Sequence, residues 1–290
     1  MATDTPTNWR FLNTTFGNAF FNMAVDEQLV RSVETGASLP VVRLYGWEPP
    51  ALSFGYAQRI AREVDLDEAE RRGIDIVRRA TGGRAVLHWN ELTYSVVCPA
   101  DHPQIGGNIT DVYRAISECL VAGLQYLDID ARLEPGRAPV PSPRGKGLTS
   151  PCFSSTSQYE ITLNDRKLVG SAQRRMGDII LQHGSLLIGP EHKQVVSLMP
   201  KGRERLVNAY REQLDAHTIC LQEAGHELTF DQVAEGIRSG FESTLEGSLE
   251  VTPLSDAETS GIETLISDKY GTADWNQNDR SADVTRRLII

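Results

Sequence analysis

The chain reads as an α+β protein, a mixed α/β arrangement in which strands and helices share one domain. Two observations carry this. Short segments rich in β-branched residues, separated by Gly, Pro and Asn-Asp turns, recur along the 290 residues. They interleave with helical patterns but without the βαβα alternation of a doubly wound nucleotide-binding sheet.

Taken in order, "FNMAVDEQLV" reads as helix, and Asp26 and Glu27 within it suit either a buried paired site or an exposed face. "VVRLYGWEPPALSFG" reads as a strand, a Pro-Pro turn and a second strand. "AREVDLDEAERRG" reads as one charged helix stopped by Gly73. Three strands follow, Ile74–Arg79, Arg84–His88 and Leu92–Cys98, with turns at Gly82-Gly83 and Trp89–Glu91. "NITDVYRAISECLVAGLQYLDI" is the clearest helix, with Val112, Ile116, Cys119, Leu120, Gly123 and Leu124 on one face and Asn108 or Thr110 as its cap. Ala131–Pro151 holds five prolines and three glycines in 21 residues and is expected to be a long loop with no packed element. "QYEITLN", "DRKLVGSAQRR" and "DIILQHGSLLI" are expected as consecutive strands, the first two joined by a tight Asn164-Asp165 turn. Helices are expected over Glu204–Leu214, Phe230–Thr244 and Asp256–Lys269, with a short strand in "LEVTPL". One main domain with a small C-terminal helical region accounts for the pattern.

Composition excludes several classes. No window approaches 18 consecutive apolar residues, and the N-terminal residues carry neither an apolar core nor a basic run. A cytoplasmic protein with no membrane partner is expected. The formal charge of −10 disfavours a general nucleic-acid binder. Basic islands nevertheless occur at Arg71–Arg84, at Arg137, Arg144 and Lys146, and at Lys201–Arg205, and these suit acidic carrier proteins as well as ordinary solvated surface. The four cysteines, Cys98, Cys119, Cys152 and Cys220, form no CxxC pair, so neither a disulfide nor a metal site is expected.

The chemistry centres on a few positions. Gly82-Gly83, flanked by Arg78, Arg79 and Arg84, suits close approach to an anion or a plain turn. His88 and His183 stand at or in strands, the second beside Gly184 and Ser185, and each suits a structural or a catalytic role. Cys152 lies in a small, polar stretch, and Lys167 opens a strand of small residues. A neighbouring ammonium would favour the thiolate, the reactive form. Spacing alone leaves Cys152 open as a nucleophile or an incidental thiol.

Several separated motifs in order carry a resemblance. "RRATGGRAVLHWNELTYSVV", "CFSSTSQYEI", "DRKLVGSAQRR", "ILQHGSLLI" and "KYGTADW", with "FNMAVDEQLV" and "RLYGWEPPALSFGYAQ" before them, resemble the lipoate–protein ligase and octanoyltransferase family from about Trp9 to Trp275. The resemblance implies the biotin/lipoate protein ligase catalytic fold over residues 1–225, with residues 226–290 as a small helical region packed on it. Within the family the chain resembles the cysteine-dependent octanoyltransferase branch. "PCF" matches that branch at Cys152, and "HWNELTYS" departs from the ATP-dependent ligases' "HDxGN". Ser155-Thr156 and Asn164-Asp165 depart from the usual turn residues.

By resemblance, Cys152 is the nucleophile and Lys167 contacts the acyl carbonyl. Arg79, Thr81, Gly82, Gly83 and His88 line the acyl pocket, Gly170, Ser171 and Ala172 form its small-residue wall, and His183 and Gly184 flank it. The implied donor is octanoyl-acyl carrier protein. The implied acceptor is a lysine of a lipoyl domain or a glycine cleavage H protein. No cofactor is implied, and a monomer is expected. The alternatives are a ligase using ATP and Mg to form a lipoyl-adenylate, and a non-catalytic acyl-binding subunit of a split ligase.

Overall fold

The computed structural model describes residues 8–135 and 159–278. In chain order the elements are β1 (Trp9–Gly17), α1 (Ala19–Glu34), β2 (Val41–Trp47), β3 (Ala51–Phe54), α2 (Ile60–Glu63), α3 (Leu66–Arg71), β4 (Asp75–Arg78), β5 (Val86–His88), β6 (Glu91–Pro99), α4 (Ile109–Tyr126), β7 (Arg132–Pro135), β8 (Tyr159–Leu163), β9 (Arg166–Met176), β10 (Ile179–Leu187), a 3₁₀ stretch (Pro190–Leu198), α5 (Glu204–His217), α6 (Phe230–Thr244), β11 (Leu249–Val251), α7 (Asp256–Leu265) and α8 (Ala273–Gln277). They form an eight-stranded sheet in the order β11-β1-β2-β6-β10-β9-β8-β7 and a three-stranded sheet in the order β4-β3-β5.

The period of two along each strand decides what each face of the large sheet buries. Val42 and Leu44 of β2, with Leu92, Tyr94, Val96 and Cys98 of β6, meet the apolar stripes of α4 and α6. Val41, Tyr45 and Trp47, with Val97 and Leu181, face α1 on the other side. Both helices on the first face begin at capping boxes, Asn108 with Asp111 and Thr229 with Gln232. Asn108 is therefore the cap of the two residues that the sequence offered. The β8–β9 hairpin turns at Asn164-Asp165, whose φ of 51° and 59° give the left-handed pair such a two-residue turn requires.

Four differences from the sequence reading have physical causes. The single helix expected before Gly73 is broken: Val64 is extended, and the Asp65 carboxylate accepts from the Glu68 N–H to start a new helix, α3. The first residues of the expected loop, Arg132–Pro135, form β7, which pairs antiparallel with β8. β1 has no counterpart in the sequence reading. Its partners, β2 and β11, lie remote in sequence, and its own alternation is broken where Thr15 takes φ 53° at a register shift. The last long helix ends at Leu265 and passes into one π turn, Ile266–Tyr270.

The C-terminal elements bond to the rest through buried charge. Arg10 of β1 forms a two-pronged pair with Glu258 of α7, at 2.7 and 3.0 Å. Glu27 of α1 accepts from Tyr270 Oη at 2.6 Å and pairs with Lys269. Trp275 Nε1 donates to the Arg78 carbonyl at 2.8 Å. Among the described residues no helix is long and apolar enough to cross a membrane.

Candidate active site

A cleft of about 340 Å³, counting its open mouth, lies between the small sheet and the large one. Met23 of α1 and Tyr45 and Trp47 of β2 supply apolar surface. Ser53 and His88 reach it from the small sheet, and the Gly170-Ser171-Ala172 and His183-Gly184-Ser185 runs pass side by side along β9 and β10. Small residues on two adjacent strands leave room where larger side chains would fill the gap between the sheets.

Two histidines enter this cleft, and each is held at both ring nitrogens. Asp26 Oδ2 lies 3.0 Å from His183 Nδ1, and Thr81 Oγ1 lies 2.7 Å from His183 Nε2. Burial lowers the pKa of His183 below its ordinary value, and the opposing pull of Asp26 does not restore it. The ring is thus neutral at pH 7. We assign Nδ1–H as donor to Asp26, which leaves Nε2 to accept from Thr81. Asp26 would be raised by its own burial, but the Arg43 guanidinium at 2.7 Å and the His183 hydrogen bond outweigh this and lower its pKa. Ser95 and Tyr45 donate to the same carboxylate, at 2.9 and 3.0 Å. The choice left open for Asp26 and Glu27 is therefore decided: both are buried and paired.

His88 has the second set. Its Nδ1 lies 2.7 Å from Glu91 Oε1, its Nε2 lies 2.7 Å from Ser53 Oγ, and its ring stacks on Trp47 at 4.1 Å with the planes 14° apart. Trp47 Nε1 donates to Thr93 Oγ1, which donates to Glu91 Oε1, so the stacking residue also orients the carboxylate.

Arg78 and Arg79 direct their guanidinium groups to backbone carbonyls rather than to an anion cradle. Arg79 is buried and donates to the Gly82 carbonyl, the Arg84 carbonyl and both Ser53 oxygens. Arg78 is buried and donates to the carbonyls of Tyr56, Gln58, Trp275 and Asn278. Their guanidinium groups fold the glycine turn and anchor the C-terminal segment. Gly83 sits at φ 97°, and a Cβ there would meet Arg79 Nη2 at 2.7 Å. Arg174 of β9 donates to the Ala80 carbonyl and Tyr56 N–H to the Thr81 carbonyl, clamping the same turn.

Arg79, His88, Gly170, Ser171, Ala172, His183 and Gly184 are thus brought together around one cleft. Thr81 stands behind it, through His183, and Gly82 and Gly83 are exposed at the turn. Lys167 is not part of the lining. It is buried three residues before Gly170, with Nζ 2.9 Å from Glu160 Oε1. Cys152, Arg137, Arg144, Lys146 and the Ser155-Thr156 turn lie outside the described residues. Ser53, Trp47, Thr93 and Glu91 went unnoticed in the sequence, although "HWNELTYS" places Glu91 three residues after His88. Among the described residues no group of three or more His, Cys, Asp or Glu side chains is placed to hold a metal ion.

Residues 18–242 match the family described as lipoyl protein ligase A/B catalytic domain. A protein of Kyrpidia tusciae named octanoyltransferase LipM is 41% identical over 273 residues, spanning 92% of this chain and 98% of its own. One of the same name from Staphylococcus aureus is 36% identical over 269 residues, spanning 92% of this chain and 97% of its own. Among solved structures, a bipartite lipoate protein ligase from Thermoplasma acidophilum superposes with a TM-score of 0.76 at 26% identity, over 93% of this chain and 96% of that one. A lipoate-protein ligase A bound with ATP gives 0.74 at 27% identity, over 94% and 99%. On the match over residues 18–242 and the near full-length identity, the chain belongs to the lipoyl protein ligase A/B catalytic-domain family.

Proposed function

We propose that the chain is an octanoyltransferase that moves an octanoyl group from acyl carrier protein, through a thioester on Cys152, to a lysine of a lipoyl domain, with the glycine cleavage H protein as the favoured acceptor. The observation that carries the activity is the 41% identity to a relative named octanoyltransferase over 98% of that relative's length. The ATP-dependent ligase reading is not favoured by those names. The donor is a thioester, already activated, so the transfer calls for no ATP or metal.

The nucleophile assignment draws support from the other three cysteines. Burial pushes the thiols of Cys98 and Cys119 up to about 12 and that of Cys220 up to about 11. None of the three is a thiolate at neutral pH. The cleft supports acyl binding. Burying the apolar carbons of an octanoyl chain against Met23, Tyr45 and Trp47 contributes roughly 5 kcal/mol at about 0.8 kcal/mol per CH₂. The resemblance makes Lys167 the donor to the acyl carbonyl oxygen, a role that requires Nζ to leave Glu160 and reach the cleft from its place three residues before Gly170. Losing such a donor commonly costs about 2.7–4 kcal/mol of transition-state stabilisation.

The test is transfer from octanoyl-acyl carrier protein to a lipoyl domain, read as the acceptor's mass, with no ATP present. Modification by wild type but not by Cys152→Ser is expected. Modification that requires ATP and free acid, and persists in Cys152→Ser, would establish the ligase reading instead.

A further inference from the structure

Attack of a lysine amine on an acyl-thioester leaves a proton to be placed, and Lys167 Nζ is already engaged by Glu160. The line Glu91–His88–Ser53 is the group whose geometry fits that task. Glu91 accepts from His88 Nδ1, so Nε2 offers its lone pair and Ser53 Oγ–H donates to it, both at 2.7 Å. Arg79 Nη1 donates to Ser53 Oγ at 3.0 Å. A hydroxyl has one proton and two lone pairs. His88 takes the proton and Arg79 one lone pair, which leaves the second lone pair on a residue that lines the cleft.

The parallel line Asp26–His183–Thr81 differs at both ends. Thr81 and Ser53 are both buried, but Thr81 does not line the cleft and Ser53 does. Asp26 is saturated by Arg43, Ser95, Tyr45 and His183. Glu91, in contrast, is buried, and its Oε2 has no hydrogen-bond partner among the described residues. An unpartnered buried carboxylate oxygen is costly for a residue that only shapes the fold. Its charge remains available to an imidazolium forming at His88.

We propose that Ser53, backed by His88 and positioned by Glu91, accepts the proton of the incoming amine in the second transfer. The inference rests on the octanoyltransferase reading. The neutral amine nitrogen bonds to the acyl carbon as the bond from that carbon to sulfur breaks. The amine proton passes to Ser53 Oγ while the Ser53 proton passes to His88 Nε2. The thiolate leaves on Cys152 and takes a proton from solvent, and His88 returns its proton to solvent. The products are the amide and the free thiol. Ser53 lies in the middle of β3, between Val77 and Val86 in the ladder, rather than on a turn that offers free N–H groups to an oxyanion. That placement suits a proton carrier better than a nucleophile.

The charged and titratable groups facing His88 are Glu91 from its own hairpin, Arg79 after β4, and His183 from β10 with Asp26 of α1 behind it. The test isolates octanoyl-enzyme made from octanoyl-acyl carrier protein and discharges it in single turnover, either to a lipoyl domain or to hydroxylamine, a weakly basic nucleophile that needs no base. In Glu91→Gln and Ser53→Ala, discharge to lysine should fall about 10²-fold, a common size for general-base loss, while hydroxylamine discharge changes by less than about threefold. Unchanged lysine discharge, equal slowing with both nucleophiles, or octanoate found on Ser53 would overturn the proposal. Adduct formation on wild type is read first. Its absence would overturn the octanoyltransferase reading together with this one, whereas a normal adduct with unaffected variants overturns this one alone.

Discussion

Asp26→Asn tests whether the cleft is held by a buried charge pair. Asp26 and Arg43 are both nearly fully buried, with Nη1 to Oδ1 at 2.7 Å. The substitution keeps the side chain's shape but leaves the guanidinium without its carboxylate. Arg43 retains Thr14 Oγ1 and the Asn22 oxygens as acceptors, so the expected loss sits near the lower end of the 3–5 kcal/mol typical of a broken buried pair, at about 3 kcal/mol. An unfolding entropy of about 2.1 cal/mol/K per residue gives about 0.6 kcal/mol/K for this chain and a Tm drop of about 5 °C. Reversible urea unfolding and thermal scans of Asp26→Asn, Asp26→Leu, Arg43→Met and Asp26→Leu/Arg43→Met measure it. The double variant should recover part of the loss, since an apolar replacement for a buried pair is often neutral. A cost below about 1 kcal/mol for Asp26→Asn, or an Asp26→Leu/Arg43→Met variant as unstable as Asp26→Leu alone and Arg43→Met alone added together, would show that the pair does not hold the cleft.

The glycine turn and the acid sensitivity of the fold give two more expectations. A Cβ at Gly55 would meet the Gly83 carbonyl oxygen at 2.2 Å, backbone against backbone, so Gly55→Ala should displace the turn and cut transfer at least about tenfold, the cost of roughly 1.4 kcal/mol in the barrier. Activity within about twofold of wild type would contradict the turn's role. His192 is buried against Thr218 and the Gly189 carbonyl, and burial lowers its pKa from 6.5 to about 4. The unfolded chain takes up this proton as pH falls below 6.5 while the folded chain does not, so the stability it contributes is present above that pH and is lost on the way down to about 4. The stability advantage of wild type over His192→Gln should shrink by roughly 2 kcal/mol between about pH 6.5 and 5 in urea titrations, at 1.36 kcal/mol per unit. A gap that stays constant would contradict the assignment.

Elements governed by local patterns were legible in the sequence. Phe230–Thr244 has the bounds expected from the sequence, and the β8–β9–β10 run follows from its alternation and the Asn164-Asp165 turn. β1 was not, because its identity as a strand depends on pairing with Val41–Trp47 and with Leu249–Val251, more than 200 residues away. The site followed the same division. His88, His183 and the small residues of β9, named through the resemblance, line one cleft. Ser53, Trp47 and Thr93 acquire meaning only when β3, β2 and β6 bring them to one imidazole, whereas Glu91 stands three residues after His88 in the sequence itself. The arginines misled for a related reason. Arg78 and Arg79 look like an anion site in one dimension, but in three their guanidinium groups face backbone carbonyls that the turns leave unpaired.

In the proposed route the acyl group passes through Cys152. Intact-protein mass spectrometry after mixing the chain with octanoyl-acyl carrier protein, without ATP, reads that step. One octanoyl group is expected on wild type, mapped to the peptide holding Cys152 and absent from Cys152→Ala. No adduct on wild type, or an adduct that survives in Cys152→Ala, would contradict it.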